Sequence, residues 1–528
     1  GVGAFRLCGT QGSGCLQEYT HQTPLLTLVL VNMPKPLLSF SLSLHWFFIT
    51  CFLSQANAEP TQEDYYTMES IAIPENIVLE AGGIEQMPNG KVAVSTRRGD
   101  IFMVSNLLDD VQGNETFSLW ARGLHEVLGL SYADGWLYVT QRPEITRIKD
   151  SDSDGRADVF ETVSDEWGIS GDYHEYAFGS KFDPDGNMWV VLCLTGSFSS
   201  KVPYRGWCVR VSKDGKMIPT ASGIRSPGGI GLNAKGEAFY CDNQGPWNGT
   251  SSLKHLTAGS FQGHPGGFAW FELDKVKAHL GKKHEEPING SRFHEEMDRL
   301  PHYRPPAILF PHGVVGNSAS GIAPDVSKGS FGPFGGQLFV SDQTHSVVNR
   351  CFLEKVDGYY QGACFPFLKG FGSGNVPLLQ ASDGSLISGG TDRGWGARGG
   401  KRFALDRVAW NGKTPFEILE MRAKPDGFEL EFTQKVNQAA VESIESYEIK
   451  TYTYVFQAKY GSPKVDETTP EIISVKMGKN EKTVRMKING LQRGHIHELK
   501  LTGVLSKVES LPLLHDAAYY TLWKIPAI

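Results

Sequence analysis

The chain has 528 residues, with 58 acidic and 51 basic side chains and a formal net charge of −7. This balance argues against nucleic-acid binding, because phosphate recognition needs a basic face. The length allows two to four domains, or one large all-β domain with an addition.

The first 58 residues have the organisation of a secretory signal. Met33 resembles a start, an apolar run follows at 37–53, and small residues at 56–58 match what a signal peptidase reads. We therefore predict an upstream extension and a signal peptide in 1–58, with cleavage near Ala58 and a secreted or periplasmic product. A membrane anchor is the alternative, although the run is short for a spanning helix and is interrupted by His45. Membrane contact would then occur only through an uncleaved signal.

A turn-then-strand phrase recurs through the middle of the chain, as in "MPNGKVAV" (87–94) and "DPDGNMWV" (183–190). Its turn glycines stand at 90, 135, 186, 236, 336 and 384. A period near 50 residues is typical of four-stranded propeller blades, so an all-β fold with a six-bladed β-propeller is predicted over 70–412. A helical, charged insertion is expected at about 260–320. An irregular array of β-sandwiches is the alternative.

The pattern changes after Lys413, where alternating strands continue without the Gly-rich phrase. About 115 residues of this kind predict an immunoglobulin-like β-sandwich over 414–528. We expect a structural or adhesive role for it.

The segment "KDSDSDGRADVFE" at 149–161 fits the calcium-loop spacing D-x-D-x-D-G-x5-E. Calcium takes six to eight hard oxygen ligands, which alternating carboxylates on a Gly turn supply. The predicted ligands are Asp150, Asp152, Asp154, the carbonyl of Arg156, Asp158 (directly or through water) and Glu161. The flanks read as strands, so a structural ion is expected rather than a sensor. A solvated acidic loop is the alternative.

Three further segments carry a family resemblance: "GDYHEYAFGSKFDPDGNMWV" (171–190), "GIRSPGGIGLNAKGEAFYCDNQGPWNG" (223–249) and "GGTDRGWGARGGKRFALDRVAW" (389–410). Over roughly 75–410 the chain resembles the soluble quinoprotein glucose and sorbosone dehydrogenases, six-bladed propellers that use pyrroloquinoline quinone. The last segment is similar to their predicted membrane-associated or secreted branch in environmental bacteria.

The resemblance implies roles for individual residues. His174 matches the general base, a role suited to imidazole near neutral pH. Arg225 matches the arginine that polarises the quinone carbonyl. Gln244 begins the cofactor turn, in which the carbonyls of Gly245 and Pro246 hold a bridging calcium ion.

The chain also departs from the family pattern. Ser226 replaces an asparagine, and Glu126 stands where a cofactor-contacting glutamine is expected. The position of the lysine that binds the quinone carboxylates falls near Thr344, and the paired-arginine position lacks arginine. Arg393 and Arg398, in the next loop, are the candidates to replace these cations, which a tricarboxylate requires.

Together these features predict calcium-assisted, quinone-dependent oxidation of a sugar or another alcohol. The electrons would pass to an external acceptor, because no CxxCH haem motif is present. A non-catalytic propeller that binds a glycan or protein partner is the main alternative, favoured by the missing cations. A lactonase-like hydrolase would need acidic metal ligands converging on the axis. No G-x-S-x-G or Walker-type motif supports triad or nucleotide chemistry.

Overall fold

The computed structural model describes residues 59–109, 111–394 and 396–527. The expected upstream extension and signal, 1–58, lie outside the described residues. Those described from residue 59 onward belong to one compact unit. Among the described helices, none has both the length and the apolar composition that a membrane crossing needs.

Most of the regular structure is antiparallel β, so the all-β prediction is confirmed. A 3-10 turn at Gln62–Asp64 precedes the first strand, β1 (Tyr66–Ser70). Three sheets follow, each with four strands in chain order. The first contains β2 (Ala81–Gln86), β3 (Val92–Thr96), β4 (Ile101–Ser105) and β5 (Thr116–Ala121). The second contains β6 (Leu130–Ala133), β7 (Trp136–Thr140), β8 (Ile145–Lys149) and β9 (Val159–Ser164). The third contains β10 (Ala177–Phe182), β11 (Asn187–Leu192), β12 (Trp207–Ser212) and β13 (Met217–Ser222).

The fourth sheet is interrupted by helices. It begins with β14 (Pro227–Leu232), β15 (Ala238–Asp242) and β16 (Ser252–His255). The intervening segment holds a 3-10 helix (Pro265–Glu272), α1 (Asp274–Leu280), β17 (Ser291–Arg292) and α2 (Phe293–Arg299). The chain then returns as β18 (Ile308–Leu309), which pairs with β16. These helices lie within the range for which the sequence predicts an insertion.

The fifth and sixth sheets follow, and the sixth includes the first strand of the chain, β1. The fifth sheet begins with β19 (Ala319–Pro324), β20 (Leu338–Asp342), β21 (Val347–Val356) and β22 (Tyr359–Lys369). The sixth contains β23 (Asn375–Gln380), β24 (Leu386–Thr391) and β25 (Phe403–Trp410). Its fourth strand is β1, which pairs with β25 so that Tyr66 lies opposite Trp410.

The first strands of the six sheets form a closed ring around an axis. In the cyclic order β2, β6, β10, β14, β19, β23, each strand contacts the next, and β23 contacts β2. Glycine makes this approach possible. A Cβ atom at Gly82, Gly228 or Gly321 would lie 2.1–2.2 Å from a carbonyl oxygen of the neighbouring segment. Even alanine would therefore force these strands apart.

The C-terminal strands form two sheets that pack face to face. The elements are β26 (Ile418–Lys424), β27 (Gly427–Phe432), α3 (Gln438–Glu442), a 3-10 turn (Ile444–Ser446), β28 (Tyr447–Phe456), β29 (Lys464–Thr468), β30 (Glu471–Met477), β31 (Thr483–Asn489), β32 (His495–Leu501) and β33 (Ala517–Leu522). One sheet has the order β26-β27-β31-β30, and β28 pairs with β29 and β32 in the other. Alternation decides which face is buried: Tyr447 and Ile449 are buried, whereas Glu448 and Lys450 between them are exposed.

The C-terminal strands continue the fifth sheet rather than standing apart from it. β33 pairs with β22, so that these strands and β17 belong to one nine-stranded sheet. Phe352 and Phe365, from β21 and β22, share a core with Phe428 and Tyr520. The expected division into 70–412 and 414–528 stays a prediction, and a common core crosses it.

Candidate functional site

A cavity at one end of the ring receives residues from all six sheets. It is lined by Arg97, Leu128, His174, Tyr176, Phe178, Ser226, Pro227, Gly228, Asn243, Ser318, Ser320, Gln343 and Val376. Its volume is about 50 Å³, enough for a few water molecules. A second cavity of about 200 Å³ lies along the first strands and shares Leu128, Phe178, Gly228 and Val376 with it. The axial cavity, as we call the first one, therefore lies where the loops of the six sheets meet the first strands, and we call the region of these loops the mouth.

His174 lines the axial cavity on the loop before β10. Asp172 organises this loop, since its Oδ1 accepts hydrogen bonds from the backbone N–H groups of His174 (2.9 Å) and Gly196 (2.8 Å). Asp172 Oδ1 also lies 3.8 Å from His174 Nδ1. Burial lowers the pKa of His174, the nearby Asp172 charge opposes this, and Arg225 and Arg142 lower it further. The imidazole is therefore neutral at neutral pH and able to accept a proton.

Arg225 lies near enough to His174 for its charge to lower the imidazole pKa. Its Nη1 donates to the carbonyls of Gln244 (2.7 Å) and Asn243 (3.3 Å), whereas its buried Nε has no hydrogen-bond partner. A Cβ atom at Gly245 would lie 2.1 Å from Arg225 Cζ, so only glycine lets the guanidinium pack here. Among the described residues, no carboxylate forms an ion pair with Arg225.

Glu126 belongs to a buried ion cluster. Its Oε1 accepts from Arg97 Nε at 2.8 Å, and its Oε2 accepts from Arg142 Nε at 2.6 Å. Arg142 also donates to the carbonyls of Asp172 (2.7 Å) and Tyr173 (2.6 Å). Burial disfavours the charge on Arg97, but Glu126 reverses the effect and raises its pKa overall. Glu126 therefore fixes the His174 loop instead of presenting a free carboxylate to a ligand.

The turn from Gln244 to Pro246 is engaged by the rest of the protein. The Gln244 carbonyl accepts from Arg225, and the Gly245 carbonyl accepts from the Gly461 N–H at 3.1 Å. The Gln244 side chain donates to the Gly249 carbonyl at 3.1 Å. The carbonyl of Gly245, a predicted calcium ligand, thus already faces a backbone donor.

Thr344, Arg393 and Arg398 lie on loops of the fifth and sixth sheets. Thr344 Oγ1 donates to Ser318 Oγ at 2.9 Å, and the Thr344 carbonyl accepts from the Arg398 N–H at 3.0 Å. Arg393 Nη1 pairs with Glu80 at 3.0 Å. The Arg398 side chain is exposed and forms no ion pair with a described residue. Of the two candidate cations, only Arg398 is therefore free of a carboxylate.

The acidic loop brings together three of its six predicted ligands. Carboxylate oxygens of Asp150, Asp152 and Asp154 lie within 4.8 Å of one another. Asp158 instead accepts from the Ser151 N–H and hydroxyl, and Glu161 pairs with Arg147. Arg156 donates its backbone N–H to Asp154. This loop does not line the axial cavity.

Four residues at the mouth were not anticipated from the sequence: Arg97, Arg142, Asp172 and Tyr460. Asp172 had a local signal, because it stands two residues before His174 in "GDYHEY". No local sequence signal pointed to Arg97 or Arg142, because their common partner, Glu126, is distant from both in sequence. Tyr460 comes from the C-terminal strands and lies 5.2 Å from the Arg225 guanidinium, measured to the ring centroid.

Residues 88–363 match a family described as "Domain of unknown function (DUF7133)". The match covers more than half of the chain. The protein belongs to this family. No curated protein matches the sequence. In this chain the matched region runs from the β2–β3 turn to β22 and contains His174, Arg225 and the acidic loop.

Solved structures with similarity to the chain include a glucose dehydrogenase described as a putative oxidoreductase from Thermus thermophilus. It has 17% identity and a TM-score of 0.47, covering 65% of this chain and 99% of that one. The PQQ-bound aldose sugar dehydrogenase of Streptomyces coelicolor has 17% identity and a TM-score of 0.42, covering 66% and 100%. The PQQ domain of Coprinopsis cinerea pyranose dehydrogenase has 12% identity and a TM-score of 0.44, covering 67% and 99%. At identities this low, the roles of individual residues do not transfer from these structures, so they rest on the geometry of this chain.

The ion cluster generates a stability prediction. Glu126→Gln keeps the shape of the side chain but leaves two buried guanidinium groups without a counterion, so it should reduce the free energy of unfolding by about 3–5 kcal/mol. Glu161→Gln, which breaks the exposed pair with Arg147, should cost under about 1 kcal/mol. Urea denaturation of both variants measures the difference. Equal losses would show that the buried cluster adds nothing beyond a surface pair.

Proposed function

We propose that this protein is a calcium-containing oxidoreductase that oxidises a sugar or another alcohol at the axial cavity. The observation that carries the proposal is the position of His174, which lines the axial cavity on a loop held by Asp172, while no carboxylate of the described residues pairs with the nearby Arg225. Such an imidazole is suited to removing a hydroxyl proton.

The proposal includes the architecture. The six sheets around the axis are the blades of a six-bladed propeller, and β1 closes the ring by completing the last blade. The cyclic contacts of the first strands and the β1–β25 pairing support this. The C-terminal strands are an immunoglobulin-like sandwich, supported by their two packed antiparallel sheets. We further propose that the protein is secreted or periplasmic, on the signal pattern in 1–58.

The cofactor in this proposal is pyrroloquinoline quinone, and the mouth fits an anionic ligand in part. Within the described part of the chain, no carboxylate pairs with the positive charges of Arg225 and Arg398, and no acceptor faces the buried Nε of Arg225. These two residues, with Gln244 and Thr344 beside them, would hold the group at the mouth, because the axial cavity is too small to enclose it. Glu126 and Arg393 do not fit this role, since their charges are already paired.

In this proposal, the residues of the site have separate roles. His174 takes the proton from the substrate hydroxyl, and Asp172 keeps its loop in place. Arg225 supplies positive charge where negative charge develops. When bound, the quinone supplies the acceptor for the hydride that leaves the same carbon. The electrons pass on to an external acceptor.

Two other functions remain as alternatives. A non-catalytic propeller that binds a glycan or protein partner is favoured by the internal pairing of Glu126 and Arg393 and by the engaged Gly245 carbonyl. A lactonase-like hydrolase lacks its metal site, because Asp150, Asp152 and Asp154, the group with metal-like spacing among the described residues, do not line the axial cavity.

The first experiment titrates purified protein with pyrroloquinoline quinone in calcium buffer and follows the absorbance of the quinone. Saturable binding is expected, and Arg225→Ala should weaken it by about tenfold or more, because a charged hydrogen-bond donor is lost. Absence of binding at tens of micromolar quinone would refute the quinoprotein proposal and favour the binding module.

The pKa of His174 predicts the acid limb of the oxidation rate. Activity needs the neutral imidazole, so kcat/KM should fall only as the pH drops through the lowered pKa of His174, below its ordinary value of 6.5. Asp172→Asn removes a charge that raises this pKa, so the limb should move to lower pH. Arg225→Gln removes a charge that lowers it, so the limb should move to higher pH. Shifts in the same direction would rule out His174 as the titrating base.

We also propose that Asp150, Asp152 and Asp154 bind a structural calcium ion. Calcium at a hundred times its dissociation constant should then stabilise the fold by about 2.7 kcal/mol. The double variant Asp152→Asn, Asp154→Asn should lose this stabilisation, and Asp165→Asn, an exposed acid outside the loop, should keep it. Thermal melts with calcium and with chelator measure it. Calcium stabilisation that survives in the double variant would place the ion elsewhere.

A further inference from the structure

Two exposed aromatic rings lie side by side at the mouth, next to Arg225. Phe198 and Tyr460 each retain 57% of their accessible surface, and their ring centroids are 6.4 Å apart at an interplanar angle of 45°. The Arg225 guanidinium lies 5.9 Å from the Phe198 centroid and 5.2 Å from that of Tyr460. Isolated exposed aromatic side chains are ordinary on a protein surface, whereas these two rings are grouped over one buried cation. We call Phe198 and Tyr460 the rim platform.

The Tyr460 half of the platform is held by backbone hydrogen bonds between the C-terminal strands and the fourth sheet. Gly461 donates to the Gly245 carbonyl at 3.1 Å, and Trp247 donates to the Gln457 carbonyl at 2.6 Å. Ser462 donates to Gly249 at 3.0 Å. These bonds fix both ends of the loop that carries Tyr460, so the ring is positioned before any ligand arrives. Binding there would lose little conformational entropy.

The Phe198 half is connected to His174. Phe198 follows Gly196, whose N–H donates to the same Asp172 oxygen that accepts from the His174 N–H. The adjacent Ser197 hydroxyl lies 3.3 Å from that of Ser226, which lines the axial cavity. One carboxylate therefore sets the positions of both the candidate base and the platform loop.

We infer that the rim platform binds the C–H face of a sugar ring and thereby selects cyclic over acyclic ligands; this deepens the proposed oxidation and rests on it. The negative faces of aromatic rings attract the weakly positive C–H hydrogens that line one side of a pyranose. Polar groups, which a sugar's hydroxyls require, lie next to the same loops: Ser197 adjoins Phe198, and a Cβ atom at Gly461, which follows Tyr460, would lie 2.9 Å from the Gln244 amide carbon. Two rings are too small an area for a stable protein interface, which needs about 800 Å² on each partner.

The test measures saccharide binding without added quinone, so that it is independent of oxidation. Methyl glucoside, maltose and cellobiose serve as cyclic probes and sorbitol as the acyclic one, with isothermal titration and saturation-transfer NMR as readouts. For a cyclic saccharide that binds, Phe198→Ala and Tyr460→Ala should each raise the dissociation constant by roughly three- to tenfold. Tyr460→Phe should retain binding, because it keeps the ring. Phe160→Ala, another exposed aromatic, on β9, should have no effect.

The outcomes separate this inference from the proposed oxidation. Unchanged saccharide affinity in the Phe198→Ala, Tyr460→Ala double variant, equal losses for sorbitol, or no binding of any cyclic probe would overturn the rim platform. A dye-linked oxidation assay with the same sugars then tests catalysis. If the platform variants lose binding but no sugar is oxidised by quinone-loaded protein, the oxidation fails and the saccharide site stands. If oxidation proceeds with an unchanged KM in the double variant, the oxidation stands and the platform fails.

Discussion

Around the axis, the first strands approach so closely that a side-chain carbon at Gly82, Gly228 or Gly321 would overlap a neighbouring carbonyl oxygen. Dense packing of this kind leaves no freedom to adjust, because interiors transmit strain rather than absorb it. The ring in turn brings loops from six sheets to one end, where each contributes to a single small cavity. The candidate site depends on glycines that let the first strands approach one another, backbone against backbone, around the axis.

Buried ion pairs and hydrogen bonds then hold the loops at the mouth in place. Glu126 joins Arg97 and Arg142, and Arg142 binds the carbonyls of the His174 loop. Buried charges are costly unless they are paired and fully hydrogen-bonded, and this cluster meets both conditions. The substitution of glutamate for an expected glutamine is therefore explained by two arginines nearby. No carboxylate of the described residues pairs with Arg225 in the same way.

Sequence patterns predicted the β class and the turn-strand units, because these depend on short-range periodicity. Contacts between distant residues were not predictable in the same way. Nothing local in "YVFQAKYGS" indicates that Tyr460 reaches Arg225, and the pairing of β33 with β22 depends on tertiary packing. The acidic loop shows the same limit. Its spacing predicted six calcium ligands, but the Glu161 carboxylate forms an ion pair with Arg147 on the neighbouring strand.

The pairing of β1 with β25 has a consequence for how the protein is made. Because Tyr66 lies opposite Trp410, the ring cannot close until almost the whole of it has left the ribosome. Until then, β1 lacks its partner strand and is exposed to pairing with another chain. Contacts of such sequence separation form slowly, so newly synthesised chains are exposed to aggregation for longer than chains with local pairing. A variant that weakens β1 would therefore reduce the yield of folded protein more than the stability of molecules that have already folded.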